Sequence, residues 1–493
     1  MLKAKKIKEN ILSLENKYPV DEWKIDDIYI WPYIRIKLFI DLLKYSNPNF
    51  EHGEYGMKKS KIAKKSKFKK AKLLVDSFLY LQKFKSNLIQ KDIVYFGAHF
   101  HRTKVDGKYF NRFFDSLNYL YDLDHKHYTF EFLKIYPQNH NQDSILNLTS
   151  ILNAYRNYTV FKNKILLKRN KIKARNLEEY DEFLEEIIKL NPKISVDHYS
   201  VFFLKRKIIK INQLMLFFNK FYLKVKPKYV IYAGYYGYDA LYASILSANR
   251  LNIKTVDIQH GPQTNTHMVF TEWQKIPLEG YNLMPVEYWN WDDYSVNNIK
   301  KWSSIVNINS KCIGQPYIEY FKKNNSNKII KKDQILYSFQ AKPFNIEDFI
   351  QPKIIQLIKQ LKLKWVFRLH PSSHISKEEV IKYCKQKNIY DRILVQDSKD
   401  YALPLSILES KWHITHFSGC VIESRLLETP SIIINEFGKT IYQSYIDDNA
   451  VYYNNIESAS FIDDFKDIIK SKTILLTDKS NDTLKNPFEL LYQ

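Results

Sequence analysis

The chain reads as an α/β protein with two doubly wound, parallel-sheet domains facing across a cleft, preceded by a basic, mostly helical extension. Three observations predict this. The 493 residues exceed what one hydrophobic core ordinarily organises. Short apolar strands alternate with helix-length segments, first over 91–325 and again over 326–475, and helical crossovers between strands imply parallel sheets covered on both faces. A polar basic linker, NNSNKIIKKD, separates the two series near 325–333. The expected division is an extension over 1–90, a first domain with a helical insertion over 91–325, a second over 326–475, and a tail over 476–493.

The extension opens with a short helical pattern and an acidic patch, Asp21, Glu22, Asp26 and Asp27. Ile28 to Tyr45 begins strand-like and then offers Pro32 for the first turn of a helix. Ile34, Leu38, Ile40, Leu42 and Leu43 are expected to bury against the main body, and Trp31 to pack rather than meet a ligand. Met57 to Leu74 is dense in lysine and poor in aromatics. Nucleic-acid binding wants stacking residues beside the charge, so a solvated face or an anionic lipid surface is the expected partner.

The first domain starts with the strand DIVYFG, Asp92 to Gly97. A long loop follows, carrying His99, His101, Arg102, Lys104, Asp106, Arg112 and Asp115, and is expected to wall a cleft. Lys126 to Lys134 reads as a strand and Leu177 to Leu190 as an acidic amphipathic helix. His198 to Val225 reads as a long helix that packs on a sheet, with a membrane surface as the other reading. Tyr229–Gly234, Gly237–Asn252 and Lys254–Gly261 form the clearest strand-helix-strand unit of this half. VEYWNWDDYSVNNIKKW adds a strand and a helix, and IGQPYIEY leads out of the domain. In the second domain QILYSF, KWVFRLH, RILVQ, WHITH and SIIIN read as strands. Ile346–Leu361, Ser376–Lys387, Leu403–Lys411 and Cys420–Glu428 read as the helices between them, and 461–471 and the final NPFELL as helical.

A formal charge of +23 implies attraction to polyanions, partly through a lysine-rich composition that an AT-rich coding sequence would also give. Cys312, Cys384 and Cys420 form no close pair, so neither a disulfide scaffold nor a zinc knuckle is expected. The first residues lack a signal-peptide pattern, and no run approaches 18 uncharged apolar residues. A cytoplasmic protein is expected, in contact at most with the inner membrane face. Neither Gly-x-Gly-x-x-Gly nor Gly-x-x-x-x-Gly-Lys-Ser/Thr occurs, which argues against dinucleotide and ATP-hydrolysis chemistry. Nothing is read as an Asp-x-Asp motif of the kind that holds a divalent ion with a nucleotide sugar, and His99 and His101 lack a third ligand, so no metal and no tightly bound cofactor is expected.

Two stretches concentrate candidate chemistry. Lys364 to His374, KWVFRLHPSSH, is a strand ending on histidine, proline and two serines. Trp412 to Asn435 runs strand, Ser-Gly turn, helix, turn, strand. Open α/β sheets bind ligands outside the carboxyl ends of their strands, and a turn leading into a helix offers unpaired amides to a phosphate. A pocket for a phosphorylated ligand is therefore expected from His370, Ser372, Ser373, Ser418 and Gly419. By alternation Arg368 lies on the side of His370 and is a second phosphate ligand or an inter-domain ion pair. His416 ends its strand beside the pocket, and His260 ends VDIQHG in the first domain.

VDIQHG, IGQPYIEY, RLHPSSH and THFSGCVIE together resemble the two-domain glycosyltransferases of bacterial capsule and lipopolysaccharide assembly, whose two Rossmann-like domains make the B-type fold. The His-Pro pair and the serine motif look like those of sialyl-, polysialyl- and Kdo transferases, which use CMP-sugars. CDP-glycerol-dependent teichoic-acid polymerases carry a similar pairing. The resemblance implies a nucleotide-sugar donor, CMP-sugar before UDP- or GDP-sugar, and a surface-polysaccharide or lipid-linked glycan acceptor. It implies that His370 meets the donor phosphate, Glu423 a ribose diol, and an acidic group of the first domain acts as base, with Asp106 and Asp115 the candidates beside His99. Two other readings stand: a CDP-polyol phosphotransferase, and a non-enzymatic polyanion-binding protein.

Overall fold

A computed structural model describes residues 3–46, 67–132, 134–169, 173–325, 330–340, 344–371, 373–398, 401–471 and 486–492. The strands of its two large sheets are numbered here in chain order. The first sheet holds β1 (Ile93–Ala98), β2 (His127–Phe132), β3 (Ile145–Asn147), β4 (Tyr229–Tyr232), β5 (Lys254–Ile258), β6 (Glu287–Asn290) and β7 (Asn309–Cys312). They lie in the order β7-β6-β5-β4-β1-β2-β3, every pair parallel. The second holds β8 (Lys332–Ser338), β9 (Lys364–Arg368), β10 (Ile393–Gln396), β11 (Ser410–Thr415), β12 (Ser431–Ile433) and β13 (Tyr452–Tyr453), in the order β10-β9-β8-β11-β12-β13, again all parallel. Both orders reverse direction next to the first strand of the domain, the Rossmann arrangement. The switch points lie between β1 and β4 in the first sheet and between β8 and β11 in the second. Two Rossmann-like α/β domains of the B-type arrangement, with an N-terminal helical extension, are thus the architecture.

Period-two alternation sorts the strand residues between two cores. In β1 and β4, Val94, Phe96, Val230 and Tyr232 join one cluster and Ile93, Tyr95, Tyr229 and Ile231 another. The first cluster also takes Ile7, Ile11 and Leu14 of the Lys3–Lys17 helix and Ile34, Leu38 and Leu42 of the Trp31–Ser46 helix, so the extension shares the core of the first domain. Trp31 and Arg35 are both fully buried there. Arg35 Nε donates to Glu15 Oε1 at 2.7 Å, Trp31 Nε1 to the same oxygen at 2.8 Å, and Arg35 Nη2 to the carbonyls of Thr271 and Glu272. The Arg35 guanidinium lies 4.1 Å from the Trp273 ring.

The tail returns to the first domain. Phe488 is buried against Trp289, Tyr229 and Tyr121, at ring separations of 5.0, 5.5 and 5.6 Å. Lys228 Nζ donates to the Leu490 carbonyl, and Lys311 pairs with Glu489.

Some expectations need correction. The loop after β1 opens with Phe100 and His101, which line a cavity as expected of a wall, and continues as a two-stranded hairpin that was not foreseen, Arg102–Val105 paired with Lys108–Asn111. Its turn is Asp106-Gly107 with φ of +48° and +79°, the backbone that an Asp-Gly hairpin turn supplies. The helix expected over Ile346–Leu361 is two, Ile346–Phe349 and Pro352–Gln360, because Pro352 has no N–H to continue the ladder and starts a helix of its own. Strands β3 and β13 and the Leu148–Arg169 helix were not foreseen. Ser372 and the part of the lysine-rich stretch over 57–66 lie outside the described residues.

Candidate active site

At the second domain's switch point one hydroxyl ties the turn together. Thr415 Oγ1 accepts from Gln340 Nε2 at 2.7 Å and from the Ser418 amide at 3.2 Å, and donates to the Ser338 carbonyl at 3.2 Å. Ser418 Oγ accepts from the Cys420 amide at 3.3 Å, in the way of a capping residue. His370 stands two residues after the end of β9, half-buried, and burial lowers its pKa. The Ser373 amide donates to the His370 carbonyl at 2.8 Å, and the Ser373 hydroxyl closes a local turn onto Ile375. Arg368 is buried; its guanidinium donates to Ser406 Oγ, Gln396 Oε1 and the Tyr401 carbonyl at 3.1, 3.4 and 2.8 Å. All three partners are formally neutral, and the guanidinium charge is felt by the nearby Glu423 and Asp397.

His416 does not line a pocket. It is 2% exposed, stacks on Phe349 at 5.3 Å and meets the Tyr337 hydroxyl through Nε2 at 3.2 Å. Burial pushes its pKa down to about 4. Held among Phe344, Phe349 and Tyr337, His416 is a neutral imidazole packed in the core of the second domain.

The first domain's switch point carries the larger space. A cavity of about 860 Å³ opens over Gly97-Ala98, Ala233-Gly234 and Gly237, walled by Tyr33, Phe100, Phe132, Phe203, Tyr236 and Tyr242. His101 and His260 line it, with ring centroids 6.4 Å apart. The Ala98 amide donates to His101 Nδ1 at 3.3 Å, so the neutral ring carries its proton on Nε2. Burial pushes the His260 pKa down to about 4, partly offset by the Ile258 carbonyl. Gly234, at φ +88°, makes room for this ring: a Cβ there would lie 3.0 Å from His260 Cε1. Asp257 Oδ1 accepts from the Gly234 amide at 3.2 Å beneath the cavity, and burial holds that carboxyl far above the usual range.

The two acidic candidates of this domain are engaged elsewhere. Asp106 is exposed at the hairpin tip. Asp115 is buried in the first turn of the Phe114–Tyr121 helix, accepting from the Asn111 amide at 2.6 Å and pairing with Arg102 at 3.3 Å. Arg102 also holds Glu131 at 2.6 Å, both side chains buried. Burial raises Asp115 to about 6, but its oxygens serve this internal network and are not presented to the cavity. His99 stands beside the cavity-lining Phe100, its pKa lowered by burial.

The carboxyl edges of the two sheets meet. A Cβ on Gly419 would fall 2.9 Å from Pro262 Cγ, so the Ser418-Gly419 turn rests against the segment that follows β5. Glu423 accepts from Gln315 Nε2 at 3.2 Å across the domain boundary. Burial raises the Glu423 pKa, and Arg112 of the first domain and Arg368 of the second pull it back. The domains are also joined by Tyr445, which donates to Asp292 Oδ2 at 2.7 Å and stacks on Tyr294 at 3.9 Å. Gly419→Val overfills the 2.9 Å gap and is expected to disfavour the closed arrangement by about 1–3 kcal/mol. Small-angle scattering reads this as a larger radius of gyration with an unchanged far-UV spectrum; an unchanged radius refutes it.

Arg112, Gln315, Tyr317 and the aromatic cavity wall were not among the predicted site residues. Arg112 stands in the polar loop and Gln315 and Tyr317 in IGQPYIEY, so local signals existed for these. Tyr33, Phe132 and Phe203 sit at positions that sequence cannot distinguish from core. Among the described residues there is no group of three or more His, Cys, Asp or Glu that could hold a metal ion, and no helix long and apolar enough to cross a membrane.

No family model matches the chain, and no curated protein does. Among solved structures it is similar to S. aureus MnaA in a UDP co-structure, at 12% identity and TM-score 0.42, covering 78% of this chain and 90% of that one. It is similar also to UDP-N-acetylglucosamine 2-epimerase from Rickettsia bellii, at 13% identity and TM-score 0.44 over 80% and 94% of the two chains. The UDP-GlcNAc-bound 2-epimerase from Neisseria meningitidis gives 13% identity and TM-score 0.43 over 77% and 91%.

Proposed function

We propose that the chain is a nucleotide-sugar-dependent enzyme, and specifically a glycosyltransferase that moves a sugar from a nucleotide donor to a glycan acceptor. The observation that carries this reading is the meeting of two Rossmann-order sheets at their carboxyl edges, an aromatic-walled cavity on one and the Arg368, His370 and Ser418 turns on the other. The donor lies against the second domain, with Glu423 on its ribose diol and its phosphate near the Arg368 charge and His370. The acceptor lies in the cavity. His260, neutral at pH 7, takes the proton of the acceptor hydroxyl, whose oxygen bonds to the anomeric carbon as the bond to the donor phosphate breaks. This assigns the base to an imidazole rather than to Asp106 or Asp115.

CMP-sugars are the first donors to test, on the strength of the His370-Pro371 pair, with UDP- and GDP-sugars beside them. Saturable binding of one donor, with acceptor-dependent release of its nucleotide, is the expected result. UDP-GlcNAc is included because structural neighbours are named as its 2-epimerases; conversion of that sugar nucleotide without any acceptor would overturn the transfer reading. A product that retains phosphate would indicate polyol phosphotransfer, and no nucleotide binding at all would leave polyanion binding. His370→Ala is expected to lower turnover by roughly 10² through weaker stabilisation of the leaving phosphate. Nucleotide affinity should fall less, because the charge is greater in the transition state. A stable variant with unchanged turnover removes His370 from the site.

A further inference from the structure

We infer that the solvent face formed by the Val201–Val225 and Lys67–Ser86 helices docks the enzyme on an anionic lipid bilayer. The Val201–Val225 helix buries Leu204, Ile208, Ile211, Phe218 and Phe221 in the core of the first domain. Its other face is not the polar one that such a surface helix normally shows. Phe202, Ile209, Leu216 and Leu223 recur every seven residues, which returns a side chain to nearly the same side of a helix. Phe202, Leu216 and Leu223 are 70%, 44% and 59% exposed.

The Lys67–Ser86 helix, which packs chiefly on the Leu148–Arg169 helix and meets the Val201–Val225 helix near its end, carries further exposed apolar groups. Phe84 stacks on Phe217 and Phe221 at 6.3 Å, joining the two helices, while Val75, Phe78, Leu79 and Tyr80 stand exposed. Charge on the same elements is almost all of one sign. The Val201–Val225 sequence carries six lysines and arginines and no acid. The Lys67–Ser86 sequence carries six lysines against the single Asp76. Exposed aliphatic side chains between cations are what an interfacial helix needs: the apolar tips enter the acyl boundary, and the lysine stems carry their charge back to the headgroups.

The charge excludes a second copy of this chain, since two such faces repel. It attracts nucleic acid, but single strands are held by base stacking on aromatic rings, and the most exposed residues outside Phe202 are aliphatic. Phe203 and Lys207, in the first two turns of the docking helix, line the cavity. On the reading proposed above, docking therefore brings the cavity to the headgroup layer, where a lipid-linked acceptor would lie.

The test is sedimentation of the full chain with vesicles at 0.15 M salt. The vesicles are pure phosphatidylcholine, or phosphatidylcholine with two-fifths phosphatidylglycerol. Wild type is expected to partition onto the anionic vesicles and not the neutral ones. The triple variant Arg206→Glu, Lys220→Glu, Lys224→Glu is expected to lose about a hundredfold or more, since each cation near an anionic surface is worth roughly fivefold. The variant Phe202→Ser, Leu216→Ser, Leu223→Ser is expected to lose at least about tenfold, from lost apolar insertion. All of these residues lie on the solvent side, so melts should match wild type. Equal partition of wild type and either variant overturns the proposal. So does binding to a DNA oligomer with none to the anionic vesicles. Neither outcome depends on nucleotide binding, so the catalytic reading is tested separately.

Discussion

On the proposed glycosyl-transfer reading, His260→Asn is expected to lower turnover by about 10²–10⁴, the usual contribution of a positioned general base, and to leave the thermal melt nearly unchanged. Asparagine is preferred to alanine because the ring fills the space above Gly234 and an empty gap would confuse stability with catalysis. The pH dependence follows from the lowered pKa. A group near 4 is neutral above pH 5, so wild-type turnover is flat there and falls as pH drops through about 4, where the imidazole takes up a proton and can no longer accept one from the acceptor. The variant should lack that acid limb. Turnover equal to wild type, or an unaltered limb, would remove His260 as base.

Arg35→Ala destabilises the first domain by about 3–5 kcal/mol, because Glu15 is left as an uncompensated charge with no water in reach. Both partners are 0% exposed, and the guanidinium also satisfies carbonyls of the Thr271–Glu272 segment. Replacing both partners, Glu15→Leu with Arg35→Met, should recover part of the loss: it removes the unpaired charge but leaves Trp31 Nε1 and the Thr271 and Glu272 carbonyls without these partners. Urea melts of the two variants check this; a single variant within about 1 kcal/mol of wild type would refute it. The same substitution should loosen the cavity, because the Trp31–Ser46 helix supplies Tyr33, Lys37 and Lys44 to its wall.

The fold was legible because the two sheets are made of apolar runs that survive any register, such as the WVF and ILYSF stretches, and because the helices between them have the right length. The site was legible only in part. His370 and Ser418 stand next to strand ends, and strand ends project to the ligand edge whatever packs behind them. Asp106 was ambiguous because an Asp-Gly pair signals both an acidic loop and a hairpin turn, and the backbone here is that of the turn. His416 misled because a strand-end residue may be taken under the loop as readily as over it, and only the aromatic cluster of Phe344, Phe349 and Tyr337 decides. The cavity was invisible because its wall comes from the Trp31–Ser46 helix, the start of the Val201–Val225 helix and two strand-end loops, which sequence separation hides from one another. Arg35, a charge set among Trp31, Ile34, Ile36 and Leu38, was the clue that this helix is buried on more than one side.

Phe488 and the residues around it return the polypeptide to the domain in which it started, so the second domain is joined to the first at two places, after Asn325 and before Phe488. A body held by one strand can swivel and tilt about every axis. Tied at both of its ends, the second domain stays within reach of the first, so the Ser418-Gly419 turn is held at high effective concentration against Pro262.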